Sequence, residues 1–353
     1  MIRAPRLIAL AALGAVLLAS CGRIGSGGTT AQPADLYAAG PTVTDVRTLL
    51  GDSNWWPGPP SFEVRPLDAE TAMFTERFSI TQRFIRVGTA EEFLVRYTVF
   101  DKTSSATTRM TDLQNAFGAS PSTPKVGDAV LYYGLAGSGG APYITRTFVR
   151  VGQIIVNIIW ARKDPSTTVQ QLGHNAAKVV DGLKKATSSK VRPSPQAVDS
   201  KLLPPPGLDI TFLGAARLPI EAWLVMENIA IPMAGLQLLQ AAGINDFAYG
   251  DYALNNDTHM EVRTSLLTFA TPAAATDWAG TWSSGTPDQS GIASEYVPLS
   301  GVEGAGEYHY FFVAGDYGAM LVCKSSIEGE AASRACEAPM ERTAIGWKLA
   351  LSS

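Results

Sequence analysis

The sequence predicts an α+β protein of two tandem related domains, each an antiparallel sheet with helices packed on one face. Three observations predict it. A proline-rich linker, 188–207, divides the chain near its middle, and Pro204-Pro205-Pro206 imposes extended backbone that excludes helix. The pieces on either side, 42–187 and 208–353, repeat one order of apolar segments. Within each piece hairpin-linked strands alternate with single helices, the pattern of an antiparallel sheet rather than of β-α-β crossovers.

The elements follow in order. In the first piece Glu92 to Phe100 alternates, with Phe93, Val95, Tyr97 and Val99 on one face, and reads as a strand. A Thr/Ser-rich break precedes a helix from about Ala106 to Phe117. In the second piece Met260, Val262 and Leu266 mark a strand ending near Phe269. Thr271-Pro272 then opens a helix running to Trp282, since proline suits a first helical turn. Both strands carry a Val-Arg pair, Val95-Arg96 and Val262-Arg263, taken as corresponding positions. Glycine-rich loops follow, Gly134 to Gly140 and Gly301 to Gly306, then hairpins turning near Val151-Gly152 and Gly315-Asp316. Ile154 to Trp160 is apolar on both faces, which predicts a central, covered strand, and Ala319 to Cys323 is its counterpart. Each piece closes with a helix. In the first, Val169, Leu172, Ala176, Val179, Val180 and Leu183 form one stripe opposite Lys178, Asp181 and Lys185, so this helix lies on a sheet.

With 353 residues, 46% of them hydrophobic and 17% charged, the chain has material for real cores and is not a disordered polyampholyte. Without Arg3 and Arg6 the 28 basic residues fall to 26 against 32 acidic ones. That balance lacks the basic footprint of a nucleic-acid binder.

Arg3 and Arg6 precede an unbroken apolar run from Leu7 to Leu18, too short for a membrane span but right for an export signal. Leu18-Ala19-Ser20-Cys21 follows. These four residues resemble the lipobox of bacterial lipoproteins. The resemblance implies cleavage before Cys21, a diacylglyceryl thioether on its sulfur, acylation (as by palmitate) of the new amino terminus, and a place on the outer face of the cell membrane. Residues 1–20 are then the signal peptide, and 21–41, poor in large apolar residues, a flexible tether. The expected membrane partner is reached through Cys21 alone. The best further span, Leu218 to Ile244, is broken by Pro219, Glu221, Glu227 and Pro232. In organisation the mature part is similar to actinobacterial lipoproteins with duplicated α+β domains.

Candidate chemistry is sparse. His174 sits beside Lys178 and Asp181 and reads as solvated; His259 shares a face with Glu261 and Arg263; His309, within Tyr308-His309-Tyr310-Phe311-Phe312, reads as a packed strand residue. None has the spacing of a metal site, so no metal and no cofactor are expected. With Cys21 acylated, Cys323 and Cys336 remain, thirteen apart, and a disulfide is the natural reading in an oxidising compartment, a redox pair the alternative. No Gly-x-Ser-x-Gly is present, and the run Gly137-Ser138-Gly139-Gly140 precedes Pro142 and a strand rather than a helix. The aromatic residues Trp55, Trp56, Tyr132, Tyr133, Tyr308 and Tyr310 are candidates for lining a ligand cleft, with core or interdomain packing the alternative. The expected function is a non-catalytic binding or accessory lipoprotein of the envelope, with a lipid, glycan, small solute or protein as ligand. An anchored hydrolase, which a pair of buried carboxylates would favour, and a purely structural lipoprotein are the alternatives.

Overall fold

A computed structural model describes residues 33–64, 75–118, 125–135, 142–163, 169–187, 198–227, 232–254, 257–298, 306–325 and 334–353. The expected acylation site, Cys21, lies outside them. The first half contains α1 (Pro33–Ala39), α2 (Val43–Leu50), β1 (Trp55–Pro57), β2 (Ser61–Val64), β3 (Glu76–Arg86), β4 (Glu92–Phe100), α3 (Thr103–Phe117), β5 (Ala129–Leu135), β6 (Tyr143–Val151), β7 (Ile154–Arg162) and α4 (Val169–Thr187). The second contains β8 (Ile210–Pro219), α5 (Ile220–Met226), α6 (Pro232–Ala241), β9 (Asp246–Leu254), β10 (Asp257–Thr268), α7 (Pro272–Trp282), β11 (Ile292–Pro298), β12 (Gly306–Ala314), β13 (Tyr317–Ser325) and α8 (Glu337–Leu351). Among the described residues no helix is long and apolar enough to cross a membrane.

Each half has its own antiparallel sheet. The first runs β1-β3-β4-β7-β6-β5, with β2 continuing the edge beside β3; the second runs β8-β9-β10-β13-β12-β11. β3-β4-α3-β5-β6-β7-α4 and β9-β10-α7-β11-β12-β13-α8 thus trace one topology twice. The junctions before α3 and α7 repeat down to the hydrogen bond. Phe100 N donates to Gln153 O at 3.0 Å, and Phe269 N to Asp316 O at 2.8 Å. Ile154 and Tyr317 each follow a two-residue turn, and they pair with Val99 and Thr268. This register makes Val95 the counterpart of Thr264. The two Val-Arg pairs are therefore offset by two residues: they share a face but not a position.

The helices cover both faces of each sheet, where one face was expected. α4 packs on the face carrying Val95, Tyr97, Val156 and Ile158, while α3 packs through Ala106, Met110 and Leu113 on Phe100, Leu131, Phe148 and Ile155 opposite. In the second half α8 covers Val262, Leu266, Ala319 and Leu321, and α7 covers Leu267, Phe311, Met320 and Val322. The reason lies in β7 and β13, whose apolar residues point both ways and need cover on both sides.

The central core is shared. It joins the α4 side of the first sheet to the α7 side of the second, with Trp55, Trp56 and Phe62 from one half beside Trp223, Phe247 and Tyr249 from the other. Each such ring contributes roughly 2–3 kcal/mol by leaving water. The folded part also reaches into both segments read as linkers. Within the 21–41 tether, Pro33–Ala39 is helical and Leu36 is fully buried. Its approach to α4 is tight enough that a Cβ on Gly182 would lie 2.3 Å from the Ala39 carbonyl oxygen. In the 188–207 linker, Val198 and Leu202 pack against the α8 core. An amphipathic α4 leaves apolar area on its flank, and α1 covers it.

Cys323, on β13, and Cys336, at the start of α8, form a disulfide with Cα atoms 6.0 Å apart.

Candidate functional site

The repeat directs attention to one position. Arg146 and His309 each stand six residues before a turn glycine, Gly152 and Gly315, on the face that α3 and α7 only partly cover. In the second half that position is sealed. The His309 Nε2 lies 3.3 Å from Glu307 Oε2, its Nδ1 lies 3.8 Å from Glu227 Oε2, and Lys324 Nζ lies 3.3 Å from the other Glu307 oxygen. Glu227 arrives from the C-terminal end of α5, and its side chain is 10% exposed against 8% for His309. Glu295, directly across from His309 on β11, accepts hydrogen bonds from Ser284 N at 3.1 Å and from the Ser284 hydroxyl.

The electrostatics of this cluster are uneven. Burial pushes the Glu227 carboxyl up to about 7, and the charge of His309 only partly opposes it. For Glu307 burial again favours the neutral acid, but the hydrogen bond with His309 and the charge of Lys324 outweigh it and hold the group at about 2. Burial disfavours the His309 cation, yet Glu307 and Glu227 together raise its pKa. Glu227 Oε1 and His309 Nδ1 are buried without a hydrogen-bond partner. A carboxyl near 7 beside an imidazole has the acid-base character of a proton-transfer pair, but this one is enclosed by protein.

In the first half the same position is open. Arg146 faces Tyr133 across β5 and Ile159 across β7, and Leu94 stands opposite Ile159 on β4. Leu94, Tyr133, Ile144, Arg146, Asn157 and Ile159 share this face and all are half-buried rather than enclosed. Three other arginines of the face are ion-paired: Arg83 with Glu92, Arg96 with Glu63 at 2.7 Å, and Arg150 with Asp128 at 3.3 Å. Arg146 has no ion pair among the described residues. Its Nε and the Asn157 Oδ1 are buried without a hydrogen-bond partner.

The six aromatic candidates are dispersed rather than gathered. Trp55, Trp56 and Tyr132 belong to the central core, so they line no open cleft; apolar rings on an edge strand facing a second sheet are better buried than wet. Tyr308 and Tyr310 lie under α8 beside the disulfide, and the Tyr310 hydroxyl donates to Glu337 O at 2.9 Å. Tyr133 alone stands on the open face, its ring 4.6 Å from that of Phe117. His174 is exposed, as its place on α4 suggests, and His309 is the packed strand residue expected of it. Sequence reasoning missed Glu227, Glu307 and Arg146. Only a shared position relative to the two turn glycines could have singled out Arg146. No group of three or more potential metal ligands occurs among the described residues.

No family model and no curated protein matches the chain. Among solved structures, the crystal structure of the extracellular domain of PknH from Mycobacterium tuberculosis matches 45% of this chain and 100% of its own length, at 15% identity and a TM-score of 0.35.

Proposed function

We propose that the chain is a lipoprotein tethered by Cys21 at the outer face of the cell membrane, where it acts as a non-catalytic binding or accessory protein of the envelope. The observation that supports this best is the contrast between the repeats. One face and one strand position are sealed over His309 in the second half and left open around Arg146 in the first. An open sheet face holding an unpartnered cation among half-buried aliphatic side chains is a surface built for contact. The Cys323–Cys336 disulfide fits an oxidising compartment, as the export signal requires.

Two measurements test the proposal. Membrane fractionation of Cys21→Ser should release the protein from the membrane, and unchanged partition would remove the anchor. Native mass spectrometry of residues 22–353 after incubation with envelope extract should reveal a retained mass. A bare protein mass would count against a binding protein.

A second reading, an anchored hydrolase, draws on one observation: Glu227, held near 7, beside His309. It predicts that Glu227→Gln abolishes turnover of some envelope component. The binding reading predicts that the same variant leaves ligand retention unchanged.

A further inference from the structure

We infer that the open face around Arg146 binds the anionic head of an amphiphile, with Arg146 as its counter-ion. The inference rests on the binding reading above and adds a ligand class to it. Three features of the face point this way.

First, three arginines of the face, Arg83, Arg96 and Arg150, are neutralised by Glu92, Glu63 and Asp128. Arg146 has no ion pair among the described residues, and its Nε is buried without an acceptor. An Nε–H withdrawn from water and left without an acceptor loses free energy that an incoming anion restores, accepting from the guanidinium in a planar two-pronged geometry suited to phosphate or carboxylate. Second, the neighbours of Arg146 are apolar. Ile159 lies directly across β7, Leu94 across from it on β4, and Ile144 two residues back on the same strand, all half-buried. A free inorganic anion would leave this aliphatic surface wet, whereas a chain attached to the anionic head would cover it. Third, Asn157 adds an amide on the same face, and turning that amide presents its N–H groups instead of its oxygen.

The second half does not offer this site. At the matching position of the second half the polar residue is His309, already engaged by Glu307 and covered by Glu227 of α5.

The test is a titration of residues 22–353 with three probes: dodecyl phosphate below its aggregation concentration, dodecyl maltoside and inorganic phosphate. Dodecyl phosphate should bind at least tenfold more tightly than dodecyl maltoside, as a charge-assisted pair of roughly 1.5–3 kcal/mol requires, and at least tenfold more tightly than inorganic phosphate, which has no chain to cover the aliphatic surface. Arg146→Gln should lower dodecyl phosphate affinity by about that factor and leave dodecyl maltoside unchanged. Ile159→Glu, which supplies a cross-strand carboxylate without deleting the arginine but also removes part of the aliphatic surface, should weaken dodecyl phosphate more than dodecyl maltoside, and serves if Arg146→Gln fails to fold. Equal binding of the charged and neutral amphiphiles, or no effect of either variant, would overturn the anionic-head assignment while leaving the binding face itself standing. Inorganic phosphate binding as tightly as dodecyl phosphate would overturn the amphiphile.

Discussion

Phe62 and Asp251, 189 residues apart in the chain, are joined by a 2.8 Å hydrogen bond from the backbone N–H of one to the carboxylate of the other. β2 is an edge strand, and its outward N–H groups need acceptors; Asp251, on β9, reaches across the seam and supplies one. Tyr249, two residues away, donates its hydroxyl to Pro60 O at 2.9 Å. Between the two edges Gly214 leaves room for the Phe62 ring, where a Cβ would fall 2.4 Å from a ring carbon. Two sheets that repeat one topology are thereby fused through surfaces that are not equivalent.

This junction yields the first prediction. Asp251 is 1% exposed, and burial followed by the charge of Glu261 raises its pKa well above the usual carboxylate value. Asp251→Asn keeps an acceptor for Phe62 and removes the buried ionisable group, so it should be near neutral. Asp251→Leu strands the Phe62 N–H and should cost about 1–3 kcal/mol in urea denaturation. Equal loss from the two variants would show that the hydrogen bond is not what matters there.

Stability should fall as pH rises from about 4.5 to 7. Glu227 has its pKa raised from 4.5 to about 7, so the folded state holds a proton that the unfolded chain has released. Its contribution is full below 4.5 and lost by 7, on the order of 3 kcal/mol. His309, raised from 6.5, changes stability in the same direction as pH passes above its unfolded value. Glu307, lowered from 4.5 to about 2, acts only below this window, where its contribution is lost as pH falls. Thermal melts of Glu227→Gln across pH 4.5–7 should be flatter than wild type. A parallel slope would place the titration elsewhere.

The α1–α4 contact predicts that Gly182→Val destabilises the first half. The new side chain meets a backbone carbonyl, which cannot rotate away, at a cost of about 1–3 kcal/mol. Deleting residues 22–40 should lower the melting temperature as well, and it should rescue Gly182→Val relative to its own parent. Additive losses would mean that the two helices do not press on each other.

Reduction of Cys323–Cys336 should remove roughly 3 kcal/mol, given a loop of thirteen residues. The intact mass of the oxidised protein should lie about two daltons below that of the reduced one. An unshifted mass would remove the bridge from the protein in solution.

The elements that can be read from the chain are those whose signal is local. The alternation of Glu92 to Phe100, the stripe of α4, the Thr271-Pro272 start of α7 and the turns at Gly152 and Gly315 all depend on near neighbours, and all were legible. The side of a sheet that each helix takes is not local, because β7 is apolar on both faces and either would serve. The correspondence of the two Val-Arg pairs failed for a related reason: register is set by the partner strand, and a shift of two residues leaves the pattern unchanged. Leu36 and Leu202 lie in segments whose composition suits a linker, and only their packing partners reveal the first as core and the second as half-buried against the α8 core. Of the candidate site, Tyr133 was legible as an aromatic beside a glycine-rich loop. Arg146, Glu227 and Glu307 were not, since nothing in their immediate neighbours separates them from ordinary surface charges.

The central claim is that the ligand sits on the open face of β4, β6 and β7. It is tested most directly by comparing the mass retained from envelope extract by wild type, Leu94→Trp and Glu227→Gln in native mass spectrometry. Leu94→Trp fills the face without changing its charge. The account predicts a retained mass on wild type and Glu227→Gln, and its loss from a folded Leu94→Trp. Retention by Leu94→Trp with loss from Glu227→Gln would contradict it and move the site to the sealed cluster around His309.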